Sequence, residues 1–193
     1  MRRTGEKAPV RRALALALCL CLMGGMTMSA QAEETTLDFF KSLNYDDGLS
    51  VAVAIFNRFP LQYGTTLGLN GNPQIRPIEF KFEEDGVLYF DTVIFYTSYK
   101  EMQAHPYIQI CVCDQETMTY IRLGGTVNFT DDPDIISRCF DASPVLTSQF
   151  GEQREYVVAY YLTNVWMEFS SFSPELAHKA YQLTNKYDGA DQP

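Results

Sequence analysis

Alternation of polar and apolar residues with a period of two predicts β-strands along most of the chain. In residues 75–82, Ile78 and Phe80 fall on one face of such a strand, and Glu79 and Lys81 fall on the other. An Asn-Gly pair before this segment and an Asp-Gly pair after it are typical of tight hairpin turns. The predicted strands are residues 63–69, 75–82, 87–92, 107–113, 119–129 and 156–169.

Other segments have helical patterns. Residues 49–59 are apolar on too many sides for an exposed helix, so they form either a buried helix or a strand. Ser98 and Glu101 have the spacing of a capping box, which predicts a helix that ends before Pro106. Short strands at hairpin spacing, joined by helices, predict one mainly β domain with an antiparallel barrel or sandwich. The other predicted helices are a short one through Leu43, residues 131–140, residues 143–151 and an amphipathic C-terminal helix over 174–187.

The first 32 residues have the order of a secretory signal peptide. Five basic residues precede an apolar run, and Ala30-Gln31-Ala32 follows as a cleavage motif. The apolar run is about 11 residues long, shorter than the roughly 20 that a membrane-spanning helix needs. We therefore expect cleavage after Ala32 rather than an uncleaved anchor, and a periplasmic or secreted domain over residues 33–193. Arg11-Arg12 leaves open whether export uses the general or the twin-arginine route.

Charge narrows the range of partners. The whole chain carries a net charge of −9, and residues 33–193 keep 10 basic and 23 acidic residues, a net charge of −13. Such a surface repels nucleic acid and anionic lipid. We expect small-molecule or protein partners, with no nucleic acid and no membrane association after signal cleavage. The spacing of Cys, His and acidic residues predicts no metal site.

Four segments follow one another in an informative order. They are the hairpin at 71–92, a helix containing Lys100 that ends in His105-Pro106 and runs into a strand, the strand at 121–129 followed by Asp131-Asp132, and a last strand with Trp166-Met167-Glu168-Phe169. This ordered set, over residues 63–172, resembles the FMN-binding split barrels of the pyridoxamine 5′-phosphate oxidase-like family. The resemblance implies a mainly β antiparallel split barrel with flanking helices, and a homodimer with FMN at the subunit interface.

The resemblance also implies roles for individual residues. Arg76 matches the basic residue of the family that approaches the flavin or its ribityl-phosphate chain, and Thr92 matches a hydroxyl at the end of the third barrel strand. Ser98 and Lys100, at the start of the following helix, would supply further polar contacts to the phosphate. FMN-binding residues are therefore expected at Arg76, Thr92, Ser98 and Lys100, in a flavin-dependent oxidoreductase of unknown substrate.

The sequence departs from the family where the phosphate loop is expected. Members carry small polar residues and a cation there, whereas this chain has Val93, Ile94, Phe95 and Tyr96. The alternative is therefore a split barrel that has lost the phosphate site and acts as a binding or structural module, with another flat ligand or none. No Arg follows Arg154, so the substrate-binding C-terminal segment of the family's oxidases is missing, and oxidation of pyridoxamine phosphate is not expected.

Overall fold

The computed structural model describes residues 34–188, and the predicted signal peptide lies outside them. These residues form eight strands: β1 (Gln62–Leu67), β2 (Pro73–Ile78), β3 (Phe80–Glu84), β4 (Val87–Val93), β5 (Tyr107–Asp114), β6 (Thr119–Thr130), β7 (Val157–Ser171) and β8 (Lys179–Leu183). The strands form one curled antiparallel sheet in the order β2-β1-β5-β6-β7-β4-β3, and β8 pairs with the second half of β7. The predicted mainly β, antiparallel split barrel is confirmed.

The split in the barrel lies between β2 and β3. These strands are separated by Glu79 alone, yet they form opposite edges of the sheet. The buried Gln62 amide spans the split: its nitrogen donates to the Phe59 carbonyl at 2.7 Å, and its oxygen accepts from the Phe80 N–H at 2.7 Å. A side-chain amide thus replaces the ladder hydrogen bonds that full closure would provide.

Within residues 34–188, five helices and one 3₁₀ turn flank the sheet. The helices are α1 (Thr36–Ser42), α2 (Gly48–Arg58), α3 (Thr97–Ala104), α4 (Pro133–Ala142) and α5 (Pro144–Phe150), with the 3₁₀ turn at Arg154–Tyr156. Helix α2, whose sequence pattern left helix or strand open, is a helix that buries Val51, Ala52, Ile55 and Phe56 in the main core. A smaller apolar cluster lies between α4, α5 and the outer side of the sheet. No helix within the described residues is long and apolar enough to cross a membrane.

The prediction of a C-terminal helix over 174–187 was wrong, because part of this segment is strand β8. Strand β4 pairs only with the first residues of β7, so the backbone of residues 165–169 needs another partner. Strand β8 provides it, with Leu183 opposite Val165 and Lys179 opposite Phe169. The segment fits both a helical and an alternating pattern, and pairing across the sheet decides between them.

The predicted capping box at α3 was also wrong. The N-cap residue is Tyr96, with no side-chain capping bond, and Ser98 lies inside the helix. The Glu101 side chain is buried and bonds to residues of β1 and β2. The Glu101 carboxylate is stabilised more strongly by the arginine beside it than by a hydrogen bond to one backbone N–H at the start of the helix.

Candidate functional site

A cleft of about 670 Å³ opens at the split of the barrel. Its walls come from β1, β2, β3 and β4, from α3, and from α5. A cleft of this size falls within the usual range for small-molecule sites. Most of the lining is apolar, with charged groups from only a few strand positions.

Arg76, the predicted flavin-binding cation, lines the cleft but is neutralised by a buried carboxylate. One terminal nitrogen lies 2.7 Å from Glu101 Oε2, and the other donates to Thr66 Oγ1 at 2.7 Å. Thr66 in turn donates to the same Glu101 oxygen at 2.6 Å. The Glu101 side chain is 3% exposed, so little water competes for it. The guanidinium is therefore held in place with its charge compensated.

The other predicted residues divide into two groups. Thr92 and Ser98 are both buried and line the cleft, and their hydroxyl oxygens are 3.3 Å apart. Lys100 is exposed and does not belong to the lining. Thr92, Ser98 and Arg76 thus line the same cleft, whereas the charged side chain of Lys100 lies outside it.

Of residues 93–96, Val93 and Tyr96 line the cleft, whereas Ile94 and Phe95 are exposed outside its lining. The N–H of Ile94 donates to the Tyr156 carbonyl, and the N–H of Tyr96 donates to the Val93 carbonyl, both at 2.9 Å. The Phe95 ring makes an edge contact with Tyr156 at 5.8 Å. Two of the backbone donors that could bind an anion are thus used within the fold.

A second charged group occupies the part of the cleft formed by β3, β4 and α5. Lys81 Nζ lies 2.6 Å from Glu79 Oε2 and 3.3 Å from Asp91 Oδ1, and the lysine side chain is 2% exposed. Ser143, the N-cap of α5, donates to the same Glu79 oxygen at 2.8 Å. Burial raises the pKa of Asp91, and the neighbouring Lys81 opposes that shift. One ammonium therefore faces two carboxylates.

The Tyr160 hydroxyl is a buried polar group of the cleft. The residue is 1% exposed and lines the cleft, and its ring stacks on Phe90 with centroids 5.4 Å apart. Every fully shielded side-chain nitrogen or oxygen in residues 34–188 has a hydrogen-bond partner. The described residues give this hydroxyl none, so it remains open to the cleft. Burial raises the pKa of Tyr160, so the group stays a protonated donor.

These residues do not fit a phosphate group. The charged side chains that line the cleft are Arg76, Lys81, Glu79 and Asp91. Glu101 lies outside the lining but pairs with Arg76, and with it the group carries a net charge of −1. Both cations are already paired with carboxylates. A phosphate dianion needs charge-assisted hydrogen-bond donors that offset its loss of hydration. The nearby carboxylates would also repel its negative charge.

No histidine or cysteine of residues 34–188 lines the cleft. Within the described range, no group of three or more His, Cys, Asp or Glu side chains is placed to hold a metal ion. His105 and His178 are exposed, and neither lines the cleft. The His178 ring instead hydrogen-bonds the Ser170 hydroxyl at 2.8 Å. Of the three cysteines within residues 34–188, Cys139 is buried, and burial raises the pKa of its thiol to about 12.

Sequence reasoning missed Glu101, Lys81, Asp91 and Tyr160 as residues of the site. One signal was present for Lys81: it shares a strand face with Glu79, and a lysine on a mainly apolar strand indicates a buried partner. Asp91 lies across the β3–β4 hairpin, so its contact with Lys81 follows only from the fold. For Tyr160, nothing in the sequence separates it from the other aromatic residues.

Comparisons with known proteins support the fold. No protein-family profile and no curated protein matches the chain. A similar solved structure is a NimC/NimA family protein of Clostridium acetobutylicum, with 22% identity and a TM-score of 0.64, covering 72% of this chain and 94% of that one. Another, from the same organism, is a protein of the pyridoxinephosphate oxidase family related to general stress protein 26, with 11% identity, a TM-score of 0.58, and coverage of 73% and 97%.

A third similar structure is a heme-binding protein of Mycobacterium smegmatis, with 11% identity and a TM-score of 0.58. It matches 72% of this chain but 60% of its own length. At these identities the comparisons establish the architecture, which agrees with the strand order and the split between β2 and β3. The chain therefore has the fold of the pyridoxamine 5′-phosphate oxidase-like split barrels, as its sequence resemblance implied.

Proposed function

We propose that the chain is an exported split-barrel protein whose cleft binds a flat ring ligand of the flavin type, without a strong site for the flavin phosphate. The observation that carries this proposal is the cleft itself: a largely apolar cavity of about 670 Å³ with Tyr96, Phe150 and Tyr160 in its lining. Aromatic walls of this kind bind planar ring systems. The neutralised Arg76 argues against tight binding of FMN.

A bound flavin would supply the redox chemistry of an oxidoreductase, and the protein would supply its position and surroundings. In this chain the positioning groups are the paired hydroxyls of Thr92 and Ser98 and the Tyr160 hydroxyl. FMN, proposed from the resemblance, would place its phosphate near Arg76. The similar M. smegmatis structure is described as a heme-binding protein, which fits a cleft for planar ligands in this fold.

The second candidate function is a binding or structural module without a flavin. It is favoured by the same charge pattern, because Glu101 and Asp91 compensate the two cations that would hold a cofactor phosphate. The two candidates differ in one measurable property, the affinity for the ring system alone.

The ring-binding proposal predicts that riboflavin binds in the cleft. A bulky side chain at the cleft mouth should then lower the affinity for riboflavin. Val145 lies on α5, is 62% exposed and lines the cleft. Val145→Trp should weaken riboflavin binding about fivefold, or about 1 kcal/mol, measured by quenching of flavin fluorescence. Leu69→Trp is a matched control, because Leu69 is 60% exposed and outside the lining. If riboflavin does not bind the unmodified chain, the module without a flavin is the better account.

Export is part of the proposal and has its own test. The order of basic residues, apolar run and Ala30-Gln31-Ala32 predicts that the mature chain begins at Glu33. N-terminal sequencing of protein recovered outside the cytoplasm should therefore start at Glu33. A start upstream of Ala30 would contradict cleavage at this motif.

We also propose a homodimer that forms through the outer face of β1 and β2. Tyr63, Leu67 and Ile75 are all exposed on this face, with Ile75 68% exposed. Monomeric proteins rarely leave a continuous apolar patch open to water. The same strands carry Thr66 and Arg76 on their inner face, so a partner there would lie next to the cleft.

The dimer predicts a mass of two chains in light scattering at micromolar concentration. Ile75→Lys should shift the protein to the mass of one chain, because it places a charge in the centre of the proposed interface. Phe172→Lys is the matched control, since Phe172 is 78% exposed at the far end of β7. A single-chain mass for the unmodified protein would rule out this interface.

A further inference from the structure

The cleft holds more negative charge than its own cations compensate. At the Lys81 end, one ammonium faces the carboxylates of Glu79 and Asp91, so one negative charge is left over. The two contacts of Lys81 and Ser143 both fall on Glu79 Oε2. The Glu79 side chain is 41% exposed and lines the cleft, so it is within reach of a ligand.

The other end of the cleft does not offset this charge. Arg76 and Glu101 compensate each other, and Thr66 completes their hydrogen bonds. The remaining polar groups there, Thr92 and Ser98, are uncharged. A ligand therefore meets a neutral end and an anionic end.

The Tyr160 side chain lines the same cleft as Arg76 at one end and Lys81 at the other. It is buried, lines the cleft and has no hydrogen-bond partner among the described residues. A buried hydroxyl without a partner is costly unless a ligand or a water molecule completes it.

We infer that the cleft is selective for an amine-bearing or cationic planar heterocycle, with its N–H groups on Glu79 and a polar ring atom on the Tyr160 hydroxyl. This inference rests on the proposed function, because it names the ligand class of the same ring-binding cleft. A cationic ring compensates the charge of the extra carboxylate, whereas an anionic ring is repelled by it. Charge therefore discriminates between ring ligands of equal size. The net charge of −13 over residues 33–193 favours the encounter with cations as well.

The test uses three fluorescent tricyclic probes of similar size: cationic 9-aminoacridine, neutral acridone and anionic acridine-9-carboxylate. The full mature chain should bind 9-aminoacridine about tenfold more tightly than the carboxylate, with acridone between them. Glu79→Gln should remove most of this preference. Glu116→Gln, an exposed site outside the cleft with the same change of charge, should keep it.

A second variant tests the hydroxyl. Tyr160→Phe removes a hydroxyl that has no hydrogen-bond partner among residues 34–188, so the melting temperature should not fall, while 9-aminoacridine should bind about threefold more weakly. Equal binding of all three probes, tighter binding of the carboxylate, or an unchanged preference in Glu79→Gln would overturn the inference and leave ring binding in place. Failure of all three probes to bind would instead overturn the proposed function.

Discussion

Replacing Lys81 with methionine should lower the free energy of unfolding by about 3 kcal/mol, the usual cost of removing one partner of a buried ion pair. The methionine keeps most of the side-chain volume, so the loss comes from the charge. Asp91 would remain buried among α4, α5 and the sheet without its ammonium partner. Denaturant unfolding of the purified chain measures the change.

The pH dependence of this loss follows from Asp91. Burial raises the folded-state pKa of Asp91, and Lys81 opposes that shift, so the folded pKa rises further in the variant. A carboxyl group with a raised folded pKa destabilises the fold above its unfolded pKa, and this effect disappears below it. The deficit of Lys81→Met should therefore be largest at neutral pH and shrink as the pH falls through the folded pKa.

Lys41→Met is the control for the loss of a lysine charge. Lys41 pairs with Glu175 at the surface, where both side chains are about half exposed, and such pairs contribute roughly 0–1 kcal/mol. Asp91→Asn added to Lys81→Met should recover part of the lost stability. A Lys81→Met protein within about 1 kcal/mol of the unmodified chain would show that the carboxylates are solvated and that this end of the cleft is not a buried charged group.

Replacing Glu101 with glutamine should strengthen FMN binding about thirtyfold, or about 2 kcal/mol, and leave riboflavin binding nearly unchanged. Glutamine has almost the same shape and still accepts hydrogen bonds from Arg76 and Thr66, but it removes the charge that compensates the guanidinium. A guanidinium has five N–H donors, so donors remain for a phosphate beside the two bonds already formed.

Glu116→Gln again controls for the change in total charge, and thermal melting checks that each variant is folded. An equal gain for FMN and riboflavin in Glu101→Gln would mean that the ring moved and that Arg76 did not reach the phosphate. An unchanged FMN affinity would place the phosphate away from Arg76 altogether.

The strands could be predicted from the sequence because their signals are local. Period-two alternation and the hairpin glycines appear within a few residues, and the turns at Gly71 and at Asp85-Gly86 have the positive φ values such hairpins require. The prediction of one continuous strand over residues 75–82 was wrong, because the chain breaks at Glu79 into β2 and β3 at opposite edges of the sheet. The C-terminal segment fits two local patterns at once, and only the unpaired backbone of β7 selects the strand.

The charges of the cleft could not be predicted in the same way, because their partners are distant in sequence. Arg76 lines the cleft, but its compensation by Glu101 depends on how α3 packs against β1 and β2. Glu101 also fits the local pattern of a capping box, so the sequence predicted a contact with the helix N-terminus instead of the contact with Arg76. The apolar residues at 93–96 were the local signal in the sequence for the proposed absence of a phosphate site.

The central claim, a ring site without a phosphate site, is tested most directly by the ratio of the FMN and riboflavin affinities of the unmodified chain. Titration of the apo-protein by flavin fluorescence should give two dissociation constants within about threefold of each other, both micromolar or weaker. The phosphate then adds little, because Arg76 and Lys81 are already paired. Nanomolar FMN binding with a preference of about 100-fold or more over riboflavin would contradict the account.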